Sequence, residues 1–391
     1  MLIETTAGDL RLALNLVKPA IHRRNTIPIL SCVLLKDGAA RATDLDMEIS
    51  MKFAASHFEG EVAVPGLQLF DLVSSLPFDM KIRLQRLQGD EHGVHIYFSG
   101  GRYRLPTLPT EDFPDFPKDD ETKRMKAPDG LLAAIDAVRG AISTEETRYY
   151  LNGFCFSKSP QGKSVLVATD GHRLVAHDYD HDCDESRIVP RMALPALTLL
   201  PQPQSVFQSN RQMRFYYPGG HLFTKLIDGA FPDWHRVVPY FNDDVKSLRF
   251  SPLEMMRVLN RINKIAGSSR GRAVDISASS AGDMVVVASK GSDSEECAER
   301  LESGSAVNWS GPSDVRSFST RYLSEICRLH RQADTISIVA ADDRSPARIV
   351  PDNGKTLAIL MPMRNGCGLV GKALLAFADG ANDAAQAERA A

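Results

Sequence analysis

Apolar residues along this chain alternate with polar ones, or gather in short unbroken runs, more often than they recur at helical spacing. Stretches such as "VLLKDGAARATDLDMEISM" from Val33, "SVLVATDGHRLVAHD" from Ser164 and "MVVVASKG" from Met284 predict short strands separated by tight turns. A few segments break the pattern with a helical period. "SPLEMMRVLNRINKIAG" places Ser251 at an N-cap, Pro252 at the first helical position and Glu254 where it completes a capping box. On that helix Arg257, Arg261 and Lys264 share one face, with Met256, Leu259, Ile262 and, at its margin, Ile265 on the other. "GDLRLALNLVKPAIHRRN" does the same with Arg11, Asn15, Lys18 and His22 opposite Leu10, Leu14, Val17 and Ile21. Arg23 and Arg24 follow directly. "RYLSEICRLHR" lines up Arg321, Ser324, Arg328 and Arg331.

These elements recur in a fixed order. "ATD" stands at Ala42-Thr43-Asp44 and again at Ala168-Thr169-Asp170, and an apolar stretch, a proline and a leucine-rich helical pattern follow each. "GGRYRLPTLPTEDFPDFP" from Gly100 is answered by "GGHLFTKLIDGAFPDWHRVVP" from Gly219, so the landmarks repeat at about 120 residues. A more worn third copy runs through "MVVVASKG", "SFSTRYLSEICRLHR" and "NGKTLAILMPM". The chain therefore reads as α+β, built from three related domains at 1–122, 123–246 and 247–364. Each is a mainly antiparallel sheet carrying two helices, and a further segment occupies 365–391.

Composition narrows the functional classes. With 391 residues, 43% hydrophobic and 24% charged, the chain can bury a large core. A formal net charge of −3 excludes a chain coated in basic residues, so three basic helix faces at related places stand out against an acidic background. Basic rows without a helix-turn-helix, zinc finger or aromatic RNA-binding signature suit a phosphate backbone gripped without sequence readout. Six cysteines without a C-x-x-C pair signal neither a disulfide framework nor a zinc site. No targeting pattern opens the sequence and no apolar run approaches the roughly 20 residues of a membrane span, so a soluble, cytoplasmic protein without a membrane partner is expected.

Two stretches invite a catalytic interpretation. Asp170, His172 and Arg173 in "VLVATDGHRLVAH" could belong to a hydrolase, but "ATD" is shared between copies and no Ser or Cys nucleophile accompanies it. Asp44 and Asp170 are expected to support turns. "HDYDHDCDE" from His177 holds potential metal ligands, which keeps a metal-dependent nucleic-acid hydrolase open as an alternative, while a solvated acidic loop needs no fixed geometry. We expect no metal, no cofactor and no catalytic residue.

"NTIPILSCVLLK", "ATDLDMEI", "TRYYLNG", "VATDGHRL", "LIDGAFPDWHRVVP" and "LMPMR" together resemble the successive signature segments of the bacterial sliding clamps, the beta subunits of DNA polymerase III, over roughly residues 1 to 364. The resemblance implies a non-catalytic processivity subunit forming a head-to-tail homodimeric ring around duplex DNA, or an accessory copy serving repair or a mobile element. It implies a partner-peptide pocket at Leu151, Thr169, Gly171, His172, Arg173, Leu174, Pro232, Arg236, Val237, Met361, Pro362 and Met363. The partners implied there are the polymerase III catalytic subunit, the clamp loader, and repair and translesion polymerases, all through short linear motifs. DNA contacts are implied at Arg24, Tyr149, Tyr150 and Arg191, joined by Arg257, Arg261 and Lys264 from the helix pattern. Dimer contacts are implied at Arg102, Tyr103 and Leu105 on one edge and Ile265, Glu295, Glu296 and Glu299 on the other.

The chain departs from the family in two respects. The second helices of the first two copies, "GLQLFDLVSSLP" and "MALPALTLLPQ", hold no Lys or Arg, which concentrates basic charge in the third domain. The family usually stops close to "MPMR", whereas residues 365–391 continue here with Leu369, Val370, Leu374, Leu375 and Phe377 in helical register and a polar, alanine-rich end. Folding over the pocket, recruiting a partner or remaining disordered are the three alternatives for this extension.

Overall fold

A computed structural model describes residues 1–378 apart from 23–25, 118–122, 127–128, 160–161, 180–185, 242–244, 267–271, 293, 353 and 365. Helices α1 (Ala7–Val17), α2 (Gly66–Ser74), α3 (Leu131–Val138), α4 (Leu194–Leu199), α5 (Pro252–Ile265), α6 (Thr320–Leu329) and α7 (370–378) punctuate a chain otherwise made of short strands. It divides into two compact units. One comprises Met1–Asp136, Asn152–Phe156 and Asp180–Ala230, and the other Ala137–Leu151, Ser157–Tyr179 and Phe231–Ala391.

In the first unit, Gly101–Pro106 forms one edge of a five-stranded sheet that runs through Gly93–Phe98, Lys81–Gln85, Leu2–Thr6 and Ala55–Glu59. An eight-stranded sheet joins Lys123–Lys126, Ser205–Gln208, Gln212–Tyr217 and Gly220–Lys225 from the second copy to Met47–Lys52, Ala39–Thr43, Cys32–Lys36 and Val62–Pro65 from the first. The seam is antiparallel, with Gly220 opposite Met51 and Thr224 opposite Met47. Helix α1 starts where the Thr6 hydroxyl accepts the Asp9 amide at 3.1 Å, buries Leu10, Leu14 and Val17, and packs on α2. It stops at Val17 because Pro19 permits only a 3-10 turn beyond, so His22 leaves the face on which the sequence pattern set it. Arg11 and Lys18 rest over the Phe78 and Phe70 rings, at 5.3 and 4.1 Å.

In the second unit the same seam recurs. Arg173–Asp178, from the second copy, pairs antiparallel with Thr356–Leu360 from the third, with Leu174 opposite Ile359. A separate four-stranded sheet runs Glu296–Leu301, Val285–Lys290, Ala273–Ala278, Arg316–Ser319, and Glu296–Leu301 is one of its edges. Helix α5 packs on α6 and buries Met255, Val258, Leu259 and Ile262.

Several helix details differ from the sequence pattern. Ser251 is the N-cap of α5 and Pro252 opens the helix, but no capping box forms. The Glu254 carboxylate turns outward to accept the amides of Glu302 and Ser303, at 2.5 and 3.1 Å, because that loop offers two donors together. Ile265 is 62% exposed rather than packed inward. In α6, Ser324 is buried and Arg331 lies past the helix end, so only Arg321 and Arg328 hold the exposed face.

The interrepeat seam yields the first prediction. A Cβ on Gly220 would collide with the Ser50 carbonyl oxygen across the pairing. Gly220→Val should cost about 1–3 kcal/mol, read as a lower midpoint in chemical denaturation. An unchanged midpoint would mean that the two strands do not meet closely there.

Candidate functional site

The "ATD" segments adopt one turn, built twice. Asp44 Oδ1 accepts the amides of Asp46 and Met47, and Asp170 Oδ1 accepts those of His172 and Arg173, all between 2.6 and 3.0 Å. The Thr43 and Thr169 hydroxyls donate to the carbonyls of Met47 and Arg173 at 2.8 and 2.6 Å. Both turns need a left-handed residue, which is Leu45 at φ 75° in one and Gly171 at φ 85° in the other. Asp170 thus spends its carboxylate on backbone amides and the Arg173 side chain, which leaves the suspected catalytic trio as a turn.

The turn presents His172 outward and pulls Arg173 inward. Arg173 is 5% exposed, and its guanidinium donates to Asp170 at 3.3 Å, to Glu325 at 2.5 Å and to the Gly140 carbonyl, while lying 4.5 Å from the centre of the Tyr322 ring. It therefore offers no charge to a docking peptide, because its donors are committed inside. The exposed His172 ring stacks on Tyr322 with centroids 6.2 Å apart. Burial opposes ionisation of Glu325, yet Arg173 and then Arg321 outweigh it and hold this carboxyl below its ordinary 4.5.

Around this turn the structure brings several of the expected docking residues side by side. Thr169 pairs across its hairpin with Leu174, which neighbours Ile359, and the Met361 amide donates to the His172 carbonyl at 2.9 Å. Leu151 and Leu174 are buried, Pro362 and Met363 half-buried, and Met361 39% exposed. Pro232, Arg236 and Val237 sit on another turn, pinned by Trp234 Nε1 donating to Ser157 Oγ at 3.2 Å and His235 Nε2 to the Lys158 carbonyl at 2.9 Å. Val237 is 46% exposed, and the exposed Arg236 donates to Asp233 at 3.0 Å. No sequence pattern marks Tyr322 and Glu325 as part of this site. Their only signal is the Arg321–Glu325 spacing, realised as a 3.0 Å pair.

The remaining candidates fall elsewhere. Tyr149 is 53% exposed and meets Tyr150 edge-on at 5.8 Å, and Arg191 is half-buried. Arg24 lies outside the described residues. On α5, Arg257 and Lys264 are exposed, but Arg261 donates to Glu299 at 3.0 Å, which ties it to the sheet edge. Glu296 is exposed and Glu295 half-buried beside that edge. At the other edge Tyr103 is 52% exposed and stacks on Phe98 at 5.6 Å; Arg102 donates to His95 at 3.0 Å, and Leu105 is half-buried. Of "HDYDHDCDE", residues 180–185 lie outside the described ones, and His177 is engaged with Thr356 Oγ1 at 2.7 Å. Among the described residues no cluster of three His, Cys, Asp or Glu could hold a metal.

The Arg173–Glu325 pair, buried on its arginine side and half-buried on the other, yields the second prediction. Arg173→Met should destabilise the fold by about 3 kcal/mol, since it leaves Glu325 without its main partner. A carboxyl lowered on folding contributes stability that is complete above its ordinary value and lost as the pH falls through the lowered one. The stability gap between wild type and Glu325→Gln should therefore be full at neutral pH and shrink below pH 4.5. Denaturation curves across that range test this, and a gap independent of pH would contradict it.

Comparison with known proteins places the chain in a family. Residues 3–117 match the model of the DNA polymerase III beta subunit N-terminal domain, and residues 127–233 that of its central domain. The beta sliding clamp of Caulobacter vibrioides is 32% identical over 372 residues, covering 90% of this chain and 96% of the relative. That of Escherichia coli is 28% identical, covering 87% and 93%. The solved DNA polymerase sliding clamp of Caulobacter crescentus superposes with a TM-score of 0.80 at 30% identity, covering 93% of this chain and all of that one. A sliding clamp from Bartonella birtlesii, solved bound to griselimycin, matches with the same score, identity and coverage. The chain belongs to the DNA polymerase III beta-subunit family, the beta sliding clamps.

Proposed function

We propose that two copies of this chain close head to tail into a ring that encircles duplex DNA and tethers a polymerase for processive synthesis. The domains are those expected from the repeats, 1–122, 123–246 and 247–364, followed by the extension 365–391. The observation that carries this reading is a pairing rule. Twice within the chain, the closing strand of one copy pairs with the strand after the turn of the preceding copy: Gly220–Lys225 on Met47–Lys52, and Thr356–Leu360 on Arg173–Asp178. One closing strand, Gly101–Pro106, and one post-turn strand, Glu296–Leu301, are left as sheet edges. Such a pair of unlike edges suits a heterologous interface that closes after two subunits.

Charge supports the same match. Arg102 stands on one edge, with Arg104 beside it held by Asp90 at 2.6 Å, and Glu296 and Glu299 stand on the other. In the first seam His221 faces Ser50. Through the hairpins, where Ala42 faces Ile49 and Ala288 faces Ala298, that register sets Arg102 opposite Glu299 of the partner subunit. Tyr103, Leu105 and Ile265 add apolar surface, Glu295 adds charge, and Arg261 steadies Glu299 from α5.

DNA contact is assigned to Arg24, Tyr149, Tyr150, Arg191, Arg257 and Lys264, with Arg261 given to the sheet edge instead. A grip of few phosphate contacts, without base readout, suits a ring that slides. Thr169, Gly171, His172, Leu174, Leu151, Pro232, Arg236, Val237, Met361, Pro362 and Met363 form the docking surface for short linear peptides of the polymerase catalytic subunit, clamp loader and repair polymerases, with Arg173 supporting it from beneath. Apolar, methionine-containing walls suit several related peptides. Work on DNA makes the site of action cytoplasmic.

Two measurements test this. Once loaded, the protein should persist on circular duplex DNA and fall off when the circle is linearised; equal lifetimes on both would overturn encirclement. Arg257→Glu with Lys264→Glu should shorten retention and flatten the log–log salt slope by about 0.9 per lost phosphate contact. Separately, a synthetic peptide with one glutamine and two large apolar residues should bind with a Kd on the order of micromolar. Val237→Glu should abolish that binding in calorimetry, and undiminished affinity would remove Val237 from the surface.

A further inference from the structure

The four-stranded sheet of the second unit is covered on a face that antiparallel sheets commonly leave to water. Val285, Val286, Val287 and Ala288 are all fully buried in one strand, although successive side chains point to opposite faces. Val286 and Ala288 pack against Val370 and Leu374 of α7, with Phe377 and Met284 at the margin. The apolar start of the extension thus lies on this sheet, with Leu375 turned out at 61% exposure.

A polar hook precedes the helix. Asp275, 1% exposed, stands opposite Ala288 and so on the face that α7 covers. Its carboxylate accepts from Ser317 Oγ at 2.7 Å, from the Gly368 amide at 2.9 Å and from Cys367 Sγ at 3.1 Å. Burial, reinforced by this carboxylate, pushes the Cys367 thiol up to about 12, so it stays protonated and able to donate. "GCG" at 366–368 fits this role at each position. A side chain on Gly366 would run into Asp275 and Ser317, and Gly368 takes φ 70° where the chain turns into the helix.

Ser317 also faces the docking surface, for its carbonyl accepts the Met363 amide at 2.8 Å. One residue therefore grips the chain at Met363 and, through Asp275, again at Cys367 and Gly368. We propose that Asp275, the Gly366–Gly368 hook and α7 form a latch that holds Met361, Pro362 and Met363 in position for peptide binding, with Asp275 as its positioning residue. The extension then serves the docking surface from behind instead of covering it. This rests on the assignment of that surface to peptide binding.

The test compares the full chain with a form lacking 366–391 and with Leu374→Asp, which keeps the chain length but puts a charge under α7. Each is assayed for amide exchange at Met363 and for affinity toward the glutamine-containing synthetic peptide. Both changes should speed Met363 exchange and weaken the peptide about fivefold or more, and a synthetic 366–378 peptide added in trans should restore both in the truncated form. Unchanged Met363 exchange in both variants would overturn the latch whatever the peptide does. Faster exchange with peptide affinity unchanged would overturn its positioning role. If the full chain binds no peptide while its variants exchange faster at Met363, the latch holds the chain end and the peptide-docking assignment falls.

Discussion

A strand with a neighbour on one side only leaves a row of backbone N–H and C=O groups that need water or another strand. This chain meets that need by handing the closing strands of the second and third copies to the copy before each, at the Gly220–Lys225 and Thr356–Leu360 seams. Sheets built this way belong to two copies at once. That is why the compact units cut through the second copy rather than following the repeats: Gly220–Lys225 falls in one unit with its partner strand Met47–Lys52, and Arg173–Asp178 in the other with Thr356–Leu360. The same need is unmet at Gly101–Pro106 and Glu296–Leu301, the two edges on which the proposed ring would close.

Helices and turns follow from this frame. Antiparallel seams leave each sheet with a face for α1 with α2, or α5 with α6, and put the Asp170 turn beside the strand that ends at Leu360. Arg173 then does for the turn what a core residue does for a sheet, joining Asp170, Glu325 and Gly140 beneath an exposed His172. A docking surface needs such fixed backing if its apolar rim is to bind without first being ordered.

Much of this was legible in the sequence, and for definite reasons. The order of strands and the equivalence of Asp44 with Asp170 could be read because turn chemistry is local: a short acid accepts amides two and three residues on. The inward aim of Arg173 could not, since its partners Glu325 and Gly140 are remote in sequence. The same holds for Glu254, whose carboxylate left the capping position for donors at 302 and 303. Ile265 fitted an apolar helix face but lies at its margin, where the period alone does not fix burial. The extension carried its signals, "GCG" and the Val285–Ala288 run, but their connection lies in Asp275, which nothing local marks.

Ring closure through unlike sheet edges is tested most directly by sedimentation equilibrium at micromolar concentration on Arg102→Glu, Glu299→Arg and the double variant. If the first seam's register repeats between copies, each single variant sets like charges opposite one another and weakens the dimer, and the double variant restores it. Dimers of equal strength in all three, or a wild-type chain that stays monomeric, would contradict closure through these edges.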